Sequence, residues 1–154
     1  MNASIIQDAM NAPIVARGCF IVEIKITKDN EIELVIESEE GVVTLDDCVE
    51  ISRKFEENFS RDTEDYALTV TSAGLDQPFK VLKQYQKAVG SKVEVSFKGG
   101  KKTVALLEEA DENGVRLKYS VLETVEGKKR KQRVEHDERF GYDSLTGVRP
   151  YIEF

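Results

Sequence analysis

Leu68-Thr69-Val70-Thr71-Ser72-Ala73-Gly74-Leu75-Asp76-Gln77-Pro78-Phe79 is a strand that stops in a shaped turn. Leu68 and Val70 alternate with Thr69 and Thr71, the period of a half-buried strand. Ser72, Gly74, Asp76 and Pro78 follow within seven residues. Glycine supplies backbone with φ > 0, aspartate bonds its own backbone, and proline fixes φ. Leu75 sits inside this polar turn, where a plain solvent loop has no use for it. The segment reads as a structured joint between two folded parts.

Upstream, Phe20, Val22, Ile24 and Ile26 alternate with Ile21, Glu23 and Lys25. Ile32, Leu34 and Ile36 alternate with Glu31, Glu33, Val35 and Glu37. Lys28, Asp29 and Asn30 lie between the two runs and supply a hairpin turn. Ala3–Met10 reads as a short helix with Ile5, Ile6 and Met10 inward. Thr44 is placed as an N-cap, with Asp47 three residues on to complete a capping box. Leu45, Cys48, Ser52, Phe55 and Phe59 form one helical stripe, broadened by Val49 and Ile51. The order helix, strand, strand, helix, strand predicts a three-stranded sheet with helices on one face.

Downstream the texture changes. Lys80–Val89 reads as a short helical or irregular connection. Val93, Val95 and Phe97 alternate, Gly99-Gly100 turns, and Thr103–Leu107 returns. Asn113-Gly114 turns again into Val115, Leu117 and Tyr119. Val121–Val125 and Gln132–His136 are expected to form a further hairpin, and Thr146–Ile152 a closing strand with Pro150 at an edge. Short strands separated by such turns predict a small barrel or sandwich, and closing the sheet removes its edges. The boundary is placed between Asp76 and Tyr85, giving domains 1–82 and 83–154.

The turn resembles the S-S-P-G-L-D-R-P-L signature of the bacterial ribosome maturation factor RimP family. Thr44-Leu45-Asp46-Asp47-Cys48 resembles that family's T-L-D-D-C helix start. The spacing between the two motifs fits, as does the closing Pro150-Tyr151-Ile152-Glu153-Phe154. Apart from a short N-terminus, the resemblance covers nearly the whole chain. Ala73 replaces the first proline of the signature and loosens the turn, and Gln77 replaces its arginine and removes a cation. The resemblance implies an α+β protein: an N-terminal α/β sandwich followed by a small SH3/Sm-like β-barrel. It also implies a factor for assembly of the small (30S) ribosomal subunit, whose partners are ribosomal RNA and a basic ribosomal protein of the immature subunit. No cofactor, metal, membrane or small-molecule substrate is implied.

Charge is unevenly distributed. The 154 residues carry a net −7. Met1–Leu82 holds 7 Lys/Arg against 17 Asp/Glu, a net −10, whereas Lys83–Phe154 holds 15 against 12, a net +3. An acidic half suits a basic partner, and a mildly basic half suits phosphate. Lys128, Lys129, Arg130, Lys131 and Arg133 are the densest positive charge. On a hairpin tip they reach RNA phosphates without burying anything, while charge runs also serve as plain solvated loops. Glu31, Glu33, Glu37, Glu39 and Glu40, with Asp46, Asp47 and Glu50, offer a face to a basic protein or guard the strands against aggregation. Ser72, Gly74, Leu75, Asp76 and Pro78 serve the joint, with backbone donors available for binding.

No phosphate-binding loop or dinucleotide fingerprint is present, and Gly99-Gly100 before Lys101-Lys102 reads as a hairpin turn. The only His, His136, stands outside any nucleophile or zinc motif, and no carboxylate pair stands out. Catalysis is therefore not expected. Cys19 and Cys48 read as buried thiols of a reducing compartment. The opening ten residues lack a secretion-signal pattern and no apolar run is long enough to cross a membrane, so a cytoplasmic protein is expected. The alternative function is an adaptor whose barrel binds a peptide or basic protein without RNA. A peptide groove needs clustered aromatics, and Phe97, Tyr119, Phe140, Tyr142, Tyr151 and Phe154 are scattered along the sequence.

Overall fold

Asn2 starts the first helix: its side-chain oxygen accepts from the Ser4 N–H at 2.7 Å. In the computed structural model, which describes residues 1–152, this helix (α1) runs Ala3–Ala16. It is longer than the Ala3–Met10 that the sequence predicts, passing through Pro13 and stopping where Gly18 takes φ 70°. Its buried stripe is Ile6, Met10 and Ile14 at four-residue steps, whereas Ile5 is 57% exposed.

Strand β1 (Cys19–Ile26) pairs antiparallel with β2 (Glu31–Ser38). The turn between them uses Asn30 at φ 56°, and the Asn30 N–H donates to the Thr27 carbonyl at 3.1 Å. The pairing corrects the expected alternation. A bulge between Ile21 and Glu23 makes Val22 an extra residue. Cys19 and Ile21 face the core before the bulge, and Ile24 and Ile26 face it after. An inserted residue reverses the phase of a period of two.

Helix α2 (Leu45–Asn58) starts on the expected capping box. Thr44 Oγ1 accepts from the Asp47 N–H at 3.1 Å, and the Thr44 N–H donates to Asp47 Oδ2 at 3.0 Å. Ile51 and Phe55 are fully buried. Leu45 and Val49, placed on the inward stripe by spacing, are 80% and 60% exposed. At about 100° per residue Val49 lies well off the Ile51–Phe55 direction, and Leu45 occupies the first turn, ahead of the core. Strand β3 (Ala67–Ser72) pairs parallel with β2, giving sheet order β1-β2-β3. Just before it, the Tyr66 ring packs edge-on at 5.1 Å from Phe55, and its hydroxyl donates to the Phe59 carbonyl at 2.7 Å. Burying a ring such as Phe55 contributes about 1.5–3 kcal/mol.

The chain divides into two compact units between Gly74 and Leu75. In the second unit, the start of helix α3 (Leu82–Ala88) is held by Gln84, a buried side chain whose oxygen accepts from the Lys80 and Val81 N–H groups at 2.6 and 3.2 Å. Strands β4 (Lys92–Phe97), β5 (Lys102–Ala110), β6 (Gly114–Glu123), β7 (Gln132–Gly141) and β8 (Leu145–Pro150) follow. They form a five-stranded antiparallel sheet of order β7-β6-β5-β4-β8. Strand β6 continues unbroken through the position where the sequence suggested two separate hairpins. The Gly99-Gly100 turn has φ 98° and 94°. One core takes Val93, Val95, Ala105, Leu107, Val115, Leu117, Leu145 and Val148 from strands β4, β5, β6 and β8, so the sheet curls onto its own inner face. A 3-10 turn, Tyr142–Ser144, carries β7 into β8. Among the described residues β7 and β8 do not pair, so the expected closure is incomplete.

Candidate nucleic-acid interface

The long β6–β7 hairpin presents the basic run. Its register extends from Gly114↔Gly141 to Glu123↔Gln132. Arg116 grips Asp137 across it with two bonds of 2.8 Å, Nε to Oδ1 and a terminal nitrogen to Oδ2. Arg139 pairs with Asp111, which also accepts from the Asn113 and Gly114 N–H groups at 2.8 and 3.1 Å. Those bonds hold the Asp111 carboxyl below its ordinary 3.8, the Arg139 contact contributing most.

Beyond Glu123 the chain leaves the ladder. Gly127 takes φ 81°, and the Lys128 N–H donates to the Val125 carbonyl at 3.1 Å. Lys128, Lys129, Arg130 and Lys131 are exposed on this loop, and among the described residues none of their side chains forms an ion pair. Arg133 differs. It lies in β7, and its guanidinium donates to Ser120 Oγ at 3.0 Å. Four cations are thus free to meet an anion, and the fifth is held on the strand.

The turn motif occupies a different place. Ser72 ends β3 opposite Ile36, and the Ala73 N–H donates to the Ile36 carbonyl at 3.1 Å. Leu75 is 68% exposed. Asp76 offers its carbonyl to Arg149 at 3.3 Å, and the Phe79 N–H donates to the Val148 carbonyl at 2.7 Å. The stretch from Asp76 to Phe79, with Pro78 beside Gly147, therefore lies along β8. Strand β8 is one end of the sheet order and β7, next to the basic loop, the other. Among the described residues positive φ belongs to Gly18, Gly90, Gly99, Gly100, Gly127 and Asn30, so the left-handed backbone expected at Gly74 is not found.

Sequence reading missed a groove. Phe97, Tyr119 and Phe140 come from three strands and gather with ring centroids 5.2 to 6.4 Å apart. They line a concavity of 390 Å³ with Lys101 and Lys102 at its edge. Strand register, invisible in the linear order, brings them together. Tyr142 is elsewhere, edge-on to Tyr85 at 5.1 Å, and Phe154 lies outside the described residues. His136 stacks on Tyr119 at 5.2 Å with the ring planes 20° apart. Its Nε2 meets Glu123 Oε1 at 2.6 Å and its Nδ1 lies 3.5 Å from Glu138. The Glu123 bond, followed by the charges of both carboxylates, raises the imidazole above its ordinary 6.5.

In the first unit the acidic residues are partly engaged. Asp47 closes the α2 cap and pairs with Arg17 at 2.9 Å. Glu50 pairs with Arg53 at 2.9 Å. Glu31, Glu40 and Asp46 are exposed. Cys19 is buried and Cys48 half-buried, both as free thiols, and burial raises both. Among the described residues no cluster of His, Cys, Asp or Glu has metal-binding geometry, and no helix is long and apolar enough to cross a membrane.

Residues 10–76 match a family described as the RimP N-terminal domain. A protein named "Ribosome maturation factor RimP" in Christiangramia forsetii is 32% identical over 135 residues, covering 88% of this chain and 87% of its own length. A protein of the same name in Flavobacterium psychrophilum is 32% identical over 82% of this chain and 80% of its own length. A third, in Porphyromonas gingivalis, is 35% identical over 73% of this chain and 74% of its own length. At 135, 127 and 113 of the 154 residues, these matches necessarily extend well past residue 76, into the second unit. With the N-terminal match and this shared length together, the chain belongs to the ribosome maturation factor RimP family.

Proposed function

We propose that this protein assists maturation of the small ribosomal subunit in the cytoplasm. It binds the immature particle through ribosomal RNA and a basic ribosomal protein and leaves when the mature surface forms. It contributes binding energy to a productive intermediate and carries out no chemical step, so it needs no cofactor. The observation that carries the RNA contact is the β6–β7 loop, whose Lys128, Lys129, Arg130 and Lys131 are exposed and outside any ion pair among the described residues. Such a loop gives phosphate contacts with strong salt dependence and little sequence preference. The acidic first half, net −10 from Met1 to Leu82, suits the basic protein partner.

Cosedimentation with separated subunits tests this reading. Recovery is expected with small subunits and not with large subunits or assembled ribosomes. Replacing Lys128, Lys129, Arg130, Lys131 and Arg133 together with Gln is expected to weaken binding. Each lost contact lowers the log–log salt slope by roughly 0.7 to 0.9. Equal recovery with all three particles, or an unchanged slope and affinity in the variant, rejects the assignment.

A further inference from the structure

From the aromatic groove of the second unit we infer a site for an unpaired RNA base, an inference that rests on the RNA reading above. The base stacks on Tyr119, Phe97 and Phe140, and its flanking phosphates meet Lys101 and Lys102. The basic loop continues the same hairpin, so a single strand that lies in the groove runs on towards Lys128–Lys131.

Three aromatic rings from β4, β6 and β7 are only half-buried and line an open concavity of 390 Å³. That volume falls within the range of about 300–1,000 Å³ of small-ligand clefts. Tyr119 already carries one flat heteroaromatic ring: the His136 imidazole lies 5.2 Å away and 20° from parallel. A nucleobase is a larger ring of the same kind, and stacking on aromatic side chains is how proteins hold unpaired bases.

Charge then selects among flat ligands. The two carboxylates at the groove, Glu123 and Glu138, both face His136, at 2.6 and 3.5 Å. Their charge is thereby partly spent on the imidazole. Lys101 and Lys102 are exposed, and among the described residues neither forms an ion pair. The charges at the rim without a partner among the described residues are therefore the two lysines, and the neighbouring loop adds four more cations. A neutral proline-rich peptide leaves these lysines unused, and a basic peptide finds only carboxylates already in contact with His136. An anionic polymer carrying flat rings satisfies both floor and rim, and single-stranded RNA is that polymer.

The only His in the chain makes the test direct. The Cε1–H proton resonance of His136 is followed in the full-length protein while a ten-residue oligouridylate is added. Fluorescence anisotropy of the labelled oligomer gives the affinity independently. The His136 resonance is expected to shift and saturate at the concentration at which anisotropy saturates. Tyr119→Leu is expected to weaken binding about tenfold. Lys101→Gln with Lys102→Gln, which leaves the floor untouched, is expected to weaken it and to flatten its salt dependence. In the protein with the loop cations replaced by Gln, the resonance still moves, at higher oligomer concentration.

Binding seen by anisotropy with a stationary His136 resonance and no loss in the lysine pair overturns the inference while leaving the loop as the RNA contact. A resonance that moves with an arginine-rich peptide and not with oligouridylate overturns it in favour of a protein ligand. Absence of binding by both readouts also overturns it, and subunit cosedimentation then judges the wider reading separately.

Discussion

At Gly114 the hairpin has no room for a side chain. A Cβ there would stand 2.1 Å from the Phe140 carbonyl oxygen, which belongs to the facing backbone. At Gly141, its partner in the register, the nearest atom to an added Cβ is 3.5 Å away on the Asp143 side chain. Gly114→Ala is expected to lower stability by about 1–3 kcal/mol, because two strands must separate. Gly141→Ala is expected to cost much less. Thermal denaturation of the two variants checks this, and equal midpoints reject it. The sequence placed Asn113-Gly114 at a turn but held no sign of the close backbone approach at the glycine. What stands across a strand is a property of register, and register is not written in the dipeptide. The same limit applies to Gly74, where composition suggested a special backbone conformation that is not found. Lys128–Lys131 were readable because exposure of a charge run follows from its own composition, whereas the engagement of Arg133 with Ser120 depends on the facing strand.

Helix α2 shows what an element reveals locally. Its capping box needs only residues 44 and 47, and both hydrogen bonds are present. Thr44→Val removes the accepting oxygen and is expected to cost about 1 kcal/mol near neutral pH. The Asp47 carboxyl is held below its ordinary 3.8, first by the Thr44 backbone N–H and then by the Thr44 hydroxyl and Arg17. A depressed carboxylate contributes its full stabilisation above the ordinary value and loses it as pH falls through the folded one. Asp47→Asn is therefore expected to destabilise at pH 6 and to approach the parent at an acid pH below the depressed folded value. Chemical denaturation at the two pH values checks this, and a gap that does not change with pH rejects it. Strand β1 shows the opposite case. Its alternation was read as unbroken because each residue fits a strand, but the bulge at Val22 exists only relative to β2. The aromatic groove escaped for the same reason, since Phe97, Tyr119 and Phe140 are neighbours only through the ladder.

For the whole molecule, residues 1–82 and 83–154 are proposed as two domains that fold separately. The first unit has its own core, with Ile6, Met10 and Ile14 of α1 against Ile32, Leu34 and Ile36 of β2 and Ile51 and Phe55 of α2. A fragment ending at Leu82 is expected to melt cooperatively by far-ultraviolet circular dichroism, at a lower midpoint than the full chain because small domains bury less of their surface. A featureless melt of the fragment beside a cooperative one of the full chain rejects the division. The pairing of β8 with β4 has a further consequence, for synthesis. Val95 meets Val148, and the whole of β5, β6 and β7 lies between them in the chain. A polypeptide leaves its exit tunnel from the N-terminus. The sheet of the first unit can be complete while translation continues, since all its strands precede Gly74. In the second unit β4 emerges early and waits, one edge bare, until β8 follows it out. An unpaired edge is a template for wrong partners. The nascent second unit is thus most open to misassembly after β7 has appeared and before β8 has.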